Sequence, residues 1–550
     1  MTELPAMAPT AAPRFAATRD ALDRLTSIGW TWGLAAILAG LALSFLLFGY
    51  AVVYWRNADM DFMVIYSALA MNDSKPQHFL DHTAYLTIDS VRTWFALLHG
   101  LGWLDAFTLP AVPPATDAAG FDIAMTNAVR AGRVLAFLIA VGCVLIFAHL
   151  IRRIVRDWRV ALLATLAFAL SGGVAVHSRI LRSELVAACP VIFALMILIV
   201  IGRRASALRP AGMALAAALC VIGLENKVQA ILLIGALPLV ILPFGGEASG
   251  SVLFWRTRNG LLALAVAAAL ALAAGYAAWP LIATGLDQSL LEAARFHPLL
   301  LGRFGVYQVA LALLMLGCML VYAAIWRVSA AEAMTSAFAV VAGAALALLL
   351  LDLDYNAGNV IAVVNPLEKM LTFVDAGTSE VAHGSSLAAL LSLLLQDLGS
   401  VIARYTFVLH SSPRPTVFLV WLIIPAIVHA WRTGKRQAAL QALVLLLMAV
   451  GIDTLGVRRG LKVEYFIFTD PLVVLSGAVL LDAMPDFRFH NWTYPIALTL
   501  LGLHIAVGQA EPIKYAFMRK GPQSSCEWNG YYMPLMPLPW CLTPSTAQPK

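Results

Sequence analysis

Long apolar runs recur from near the N-terminus almost to the end of this 550-residue chain, separated by short polar segments. The first, Ile28 to Trp55, is too long for a signal-peptide core and lacks a small-residue cleavage site, so it reads as a retained spanning helix. Further runs at about 131–151, 160–176, 184–202, 211–224, 228–244, 260–284, 306–325, 334–351, 415–431, 438–455, 465–482 and 493–508 each suit one helix across a hydrocarbon core about 30 Å thick. With 61% hydrophobic and 12% charged residues, an ordinary soluble globule is excluded. The expected fold is all-α, a polytopic membrane protein of about thirteen transmembrane helices.

The arginines orient it. Arg152, Arg153, Arg156 and Arg159, then Arg203, Arg204 and Arg209, Arg256 and Arg258, Arg327, and Arg432, Lys435 and Arg436 all fall on one side if the helices alternate. By the positive-inside rule that side is the cytoplasm, which also accounts for the net charge of +6 without invoking nucleic acid. The chain then divides into a cytoplasmic N-terminal tail (1–27), a membrane body (28–508) and an outer C-terminal tail (509–550). The long outer segments are a first loop at 55–130 and a late segment at 352–414. Helical spacing of apolar residues in Phe62 to Met71 and Tyr85 to Trp103 predicts amphipathic helices on the membrane surface in the first loop, and Ser385 to Leu395 predicts an apolar helix in the late segment.

Four cysteines, Cys143, Cys189, Cys220 and Cys318, lie in apolar runs and read as small buried hydrophobes. Cys526 and Cys541 sit in the polar, aromatic-rich tail, where an oxidising compartment would join them; the alternative is two free thiols.

Ionisable residues near hydrocarbon are expensive and mark functional candidates. Arg56-Asn57-Ala58-Asp59-Met60-Asp61-Phe62 puts two carboxylates where the first span meets water, a position in which burial and neighbouring cations tune protonation for acid–base work. In the outer turn His177 to Glu184, Arg179 and Arg182 are three apart and share a helical face suited to phosphate; an Arg182/Glu184 ion pair capping the hairpin fits equally well. Lys227, after Glu225 and Asn226, is a further phosphate candidate, with a snorkelling lysine as the alternative. Asp81 and His82 stand in the first loop, and Glu464-Tyr465 follows the cationic Arg458, Arg459 and Lys462. No Gly-rich phosphate cradle, paired-cysteine metal site or nucleophile elbow appears. The inner loops are too short for an aqueous nucleotide-binding fold, so a phosphate-bearing substrate is expected to arrive on a lipid.

In order and sidedness these motifs resemble those of the integral-membrane glycosyltransferases of the C-type fold (GT-C), in the branch of the protein O-mannosyltransferases and the aminoarabinose transferases of lipid A. Asp59-Met60-Asp61-Phe62 resembles the acidic motif after the first helix, and Phe79 to Leu86 its Asp/His-containing second element. Arg179 to Glu184 is similar to the Arg-plus-acid motif opening the fourth helix, Gly223 to Lys227 to the Gly-Leu…Lys segment near the fifth, and Glu464 to Pro471 to the late Tyr…Pro helix. The first motif here is Asp-x-Asp instead of adjacent acids, the Pro-Pro-Leu of the second is missing, and the Trp-Trp-Asp-Tyr-Gly signature of oligosaccharyltransferases does not occur.

The resemblance implies transfer of a sugar from a polyprenyl-phosphate donor to a glycan, lipid or protein acceptor on the outer, periplasmic face of a membrane such as the bacterial inner membrane. Asp61 or Asp59 is the expected base. Arg179, Arg182 and Lys227 are the expected phosphate ligands, with His82 and Tyr465 beside them and Asp81, Glu184 and Glu225 as further polar site residues. Since cations can stabilise the departing lipid phosphate, no obligatory metal or other cofactor is expected, though a divalent ion is not barred. Two other classes share the features: a multi-helix transporter or lipid flippase, and a surface-polysaccharide ligase or polymerase. Against the first stand the lack of half-to-half symmetry and the gathering of polar residues in outer turns instead of mid-helix. For the second, only 352–414 qualifies as the large late outer loop.

Overall fold

The computed structural model describes residues 13–75, 84–203, 205–240, 244, 250–285, 304–353, 387–408, 414–456, 462–484, 493–517, 521–526, 529–530 and 533–542, and among these every regular element is helical. Asp81, His82, Arg458 and Arg459 lie outside the described residues, as does the side chain of Asp59. In chain order the helices are α1 (Pro13–Phe45), α2 (Ala58–Asn72), α3 (Tyr85–Gly100), α4 (Ala118–Ile154), α5 (Trp158–Ala169), α6 (Gly172–His177), α7 (Glu184–Gly202), α8 (Arg209–Asn226) and α9 (Ala230–Ala236). They continue as α10 (Arg258–Gly285), α11 (Phe304–Ile325), α12 (Ala330–Asp352), α13 (Leu387–Thr406), α14 (Val417–Arg432), α15 (Arg436–Gly456), α16 (Asp470–Ala483) and α17 (Thr493–Phe517).

Seven helices among the described residues are long and apolar enough to cross a membrane: those within α1, α4, α7, α10, α12, α15 and α17. Four shorter apolar helices accompany them, Trp158–Ala169, Ala230–Val240, Leu316–Ile325 and Val417–Arg432. The sequence presents several of these regions as unbroken apolar runs, and local chemistry divides them. The run at 160–176 breaks at Ser171, whose hydroxyl caps a new helix by accepting from the Val174 N–H at 3.3 Å. The run at 465–482 begins as a 3₁₀ turn, Val463–Phe468, and becomes α-helical only at Asp470-Pro471, where proline suits the first helical turn.

Contacts separate the bundle into two ends. At one, Asp482 accepts from the backbone N–H groups of Arg156 and Asp157 at 2.8 and 3.0 Å, and Arg203 donates to the Ile154 carbonyl. Arg209 pairs there with Glu332 at 3.1 Å beneath Trp326. These are the arginine clusters that the sequence places on a common side. The opposite end gathers α2, α3, the turn between α6 and α7, the end of α8 and the C-terminal tail.

Two cores fill the interior. The larger joins α4, α5 and α7 to α14, α15 and α16; the smaller joins α2, α3 and the first half of α4 to Leu181, Met533, Met536 and Leu538. The expected surface helices differ from one another here. α3 buries one face, through Thr87, Ile88, Val91, Phe95 and Leu98. α2 is buried almost all round, with Phe62, Ile65, Tyr66, Ala68 and Leu69 at 1% exposure or less, because α3 and α4 flank it and the tail folds back over it. Trp540 caps this core against Tyr54, Phe62 and Phe121, with ring centroids 6.0–6.3 Å away. A Cys526–Cys541 disulfide closes the tail. The apolar helix expected at 385–395 is longer, running over Leu387–Thr406.

One glycine fixes how the site is assembled. A Cβ on Gly173 in α6 would stand 2.8 Å from the Ile467 nitrogen in the 3₁₀ turn, so the two backbones touch only because no side chain intervenes. Replacing Gly173 with Ala is expected to lower stability by about 1–3 kcal/mol through overpacking. Gly235, in α9, has nothing within 4 Å of its Cβ position, and Gly235→Ala should leave the thermal midpoint in detergent unchanged or raised.

Candidate functional site

The turn between α6 and α7, residues 178–183, is held from two directions. The Leu181 N–H donates to Oδ1 of Asp61 at 2.8 Å, and Asn226 at the end of α8 donates from Nδ2 to the Ser183 carbonyl at 2.6 Å. Asn226 also accepts from the Thr87 N–H at 3.2 Å, and its carbonyl accepts from the Ala84 N–H at 3.0 Å, so the start of α3 is tied to the same point. Residues separated by more than a hundred positions thus fix one short turn.

Glu184, the first residue of α7, is the hub of a buried charge cluster. Arg182 donates to both its oxygens, from Nε at 3.2 Å and Nη2 at 2.9 Å, and Lys227 Nζ reaches Oε1 at 2.5 Å. His177 Nε2 lies 3.4 Å from Oε2, while its Nδ1 is 2.6 Å from the Gly173 carbonyl. Glu464 stands 3.6 Å from Arg182, and Tyr465 places its ring 5.6 Å from Lys227. The structure therefore brings Arg182, Glu184, Lys227 and Tyr465 together, as the sequence anticipates. The Arg182/Glu184 ion pair of the structural alternative is also present. Lys227 does not snorkel; it is 5% exposed and turned inward onto Glu184.

Asp61 is somewhere else. Its Oδ2 accepts from Arg133 Nε at 2.9 Å and Nη2 at 2.8 Å, and both side chains are fully buried. Arg133 continues to the carbonyls of Gly49, Val52 and Tyr54 at 3.0, 2.6 and 3.4 Å. With one oxygen on a guanidinium and the other on the Leu181 N–H, the Asp61 carboxylate is engaged as a brace between α1, α2, α4 and the turn. Both oxygens of the carboxylate that the sequence offers as a base are thus occupied by donors. Asp59, in the first turn of α2, keeps its candidacy, its side chain lying outside the described residues.

Arg179 is separate again. From the same turn it faces α1 and α17, donating from Nη2 to the Ser44 hydroxyl at 2.6 Å and to the Gln509 side-chain carbonyl, with the Phe48 ring 5.2 Å from its guanidinium. It is 2% exposed, and its Nε and Nη1 have no partner among the described residues. Every other buried arginine or lysine in the described residues meets a carboxylate: Arg133, Arg182, Arg209, Lys227 and Arg414. Burial without a counter-charge lowers the Arg179 guanidinium to about 10.

Behind the 3₁₀ turn lies a network the sequence reading missed. Arg414 bonds Asp453, Asp470 at 3.0 Å, Thr469 at 2.6 Å and Thr416 at 2.7 Å, sandwiched between the rings of Tyr405 and Phe466 at 4.5 Å each. Phe466 follows Glu464 and Tyr465 directly, so this network backs the segment that carries them to the Glu184 cluster. Arg133 was missed as well; lone charges at the edge of or inside apolar runs are the signal that would have found both. Ser44 and Gln509 are neutral and give no such signal. Among the described residues no three His, Cys, Asp or Glu side chains gather as a metal site.

No protein-family model and no curated protein matches the chain. Among solved structures it is similar to the archaeal oligosaccharyltransferase AglB from Archaeoglobus fulgidus, in complex with an inhibitory peptide and a dolichol-phosphate. The likeness has a TM-score of 0.43 at 13% identity, over 94% of this chain and 61% of that one, so this chain spans less than two thirds of its length. At that TM-score the likeness is too loose to assign a function or a residue role.

The Asp61–Arg133 brace predicts a stability effect. Asp61→Asn leaves a buried guanidinium without its carboxylate and should destabilise by about 3–5 kcal/mol. Adding Arg133→Gln should recover part of that loss, since the unpaired charge goes too. Thermal midpoints of the single and double variants in detergent measure both effects.

Proposed function

We propose that the chain is an integral-membrane glycosyltransferase of the GT-C type that moves a sugar from a polyprenyl-phosphate donor to an acceptor on the periplasmic face, without an obligatory metal. The observation that carries this reading is Arg179, a buried guanidinium lacking a carboxylate and two of its hydrogen-bond partners among the described residues. The phosphodiester of such a donor, and the phosphate monoester left after transfer, supply both the charge and the acceptor oxygens that such a group lacks. Arg179 borders α1 and α17, whose flanking Leu43, Leu46 and Leu47 are more than half exposed and offer a surface to a polyprenyl chain.

In the proposed reaction Asp59 takes the proton of the acceptor hydroxyl, the acceptor oxygen bonds to the anomeric carbon, and the bond from that carbon to the phosphate oxygen breaks. The departing lipid phosphate gathers negative charge at Arg179. Arg182 and Lys227, neutralised by Glu184 and Glu464, hold the turn that carries Arg179 in place. Asp61 positions that turn through the Leu181 N–H. Asp81 and His82 are kept as first-loop candidates for orienting the phosphate or acceptor. The disulfide-closed tail covers the site end of the molecule, which favours an oxidising compartment there, with the N-terminus in the cytoplasm, about thirteen crossings and a bacterial inner membrane as the setting.

The test is incubation of purified protein with a panel of polyprenyl-phosphate and polyprenyl-pyrophosphate sugars, following release of free lipid phosphate. Turnover is expected with monophosphate donors. Arg179→Gln should lower it by about a hundredfold or more, as removal of an oxyanion donor does. Asp59→Asn should abolish it in a protein that still melts cooperatively. Absence of turnover with every donor, together with counterflow of a solute in liposomes, would replace this reading with a transporter.

A further inference from the structure

The buried carboxylates follow the same pairing rule as the cations, with one exception. Asp61 meets Arg133, Glu184 meets Arg182 and Lys227, Glu332 meets Arg209, Asp453 and Asp470 meet Arg414, and Glu464 meets Arg182. Glu225 is 3% exposed, and the ion pairs among the described residues do not include it. Its neighbours are fully committed: Asn226 holds Ser183 and Thr87, and Lys227 holds Glu184. An isolated carboxylate in so dry a place is costly unless it is neutral or meets a ligand.

Its position differs from that of Arg179. Glu225 lies in the last turn of α8, which packs on α7, α12 and α3, whereas Arg179 faces α1 and α17. The acid and the cation therefore stand on different elements, Glu225 on the helix whose end is bonded to Ser183 and the start of α3, and Arg179 on the turn against α1 and α17. If the phosphate of a donor is taken at Arg179, the flank at Glu225 is left for the second substrate.

We propose that Glu225 is the acceptor-recognition carboxyl, hydrogen-bonding a hydroxyl group of a polyhydroxylated, glycan-type acceptor. This rests on the glycosyltransferase reading above. A neutral carboxyl offers one donor and one acceptor, which matches an alcohol. Pairing with an ammonium would instead require both charges to lose their water, which is seldom favourable without further partners.

The experiment treats the full-length protein in detergent with dicyclohexylcarbodiimide, which modifies neutral carboxyls in apolar surroundings, and locates the label by peptide mass spectrometry. Glu225 should be labelled while the ion-paired Asp61, Glu184 and Glu332 are not. A mixture of methyl hexosides should slow labelling severalfold, and polyprenyl phosphate alone should not. Glu225→Gln should keep hexoside binding, read as a thermal shift, within a few fold. Glu225→Ala should lose it while still binding polyprenyl phosphate. Absence of label at Glu225, labelling indifferent to hexosides, or an unimpaired Ala variant would overturn the proposal. Failure of the wild type to bind polyprenyl phosphate, with hexoside protection intact, would instead remove the donor reading and leave the Glu225 site standing.

Discussion

The buried ion pair of Asp61 and Arg133 ties together four parts of the chain that are remote in sequence. Arg133 reaches three carbonyls at the end of the first helix, while Asp61 reaches the Leu181 N–H, so α1, α2, α4 and the site turn meet at one point. In a dry interior neither charge is tolerable alone, and both are satisfied only when all four segments are in place. The pair thereby makes the position of Arg179 and Arg182 conditional on correct docking of the acidic motif. That coupling connects the first loop to a turn some 120 positions later.

Elsewhere the same device recurs. Arg209 with Glu332 joins α8 to α12 at the arginine-rich end, and Arg414 with Asp453 and Asp470 locks α15 and α16 behind the 3₁₀ turn. Where every buried charge is matched, the bundle is merely held together. The candidate site differs in holding two buried charged groups, Arg179 and Glu225, that form no ion pair with any described residue, near a cluster whose own charges are closed on themselves. In the proposed reaction a donor phosphate at Arg179 and an acceptor hydroxyl at Glu225 would complete the pairing.

Much of this was legible in the chain. The apolar runs announce helices, the arginines mark one end of the molecule, and the polar turns at 179–184, 225–227 and 464–465 do converge, because intramembrane charges are retained only where they find partners. Spacing alone leaves the two motif aspartates equivalent. Their separation by two positions says nothing of which one meets Arg133, since the arginine lies 72 residues away at the start of an apolar run. Nor did spacing distinguish Arg179 from Arg182. Three residues apart on a helix they share a face, but the segment is a turn, and the two side chains leave it in different directions.

The sequence by itself determined that the chain is a helical, apolar bundle and which polar turns stand at one end of it, because hydrophobicity and charge cost depend on composition and order along the chain. Tertiary structure alone decided which of those charges are neutralised. Ion pairing depends on distance in space between residues remote in sequence, and only the folded arrangement shows that Lys227 closes on Glu184 while Arg179 and Glu225 form no ion pair with any described residue.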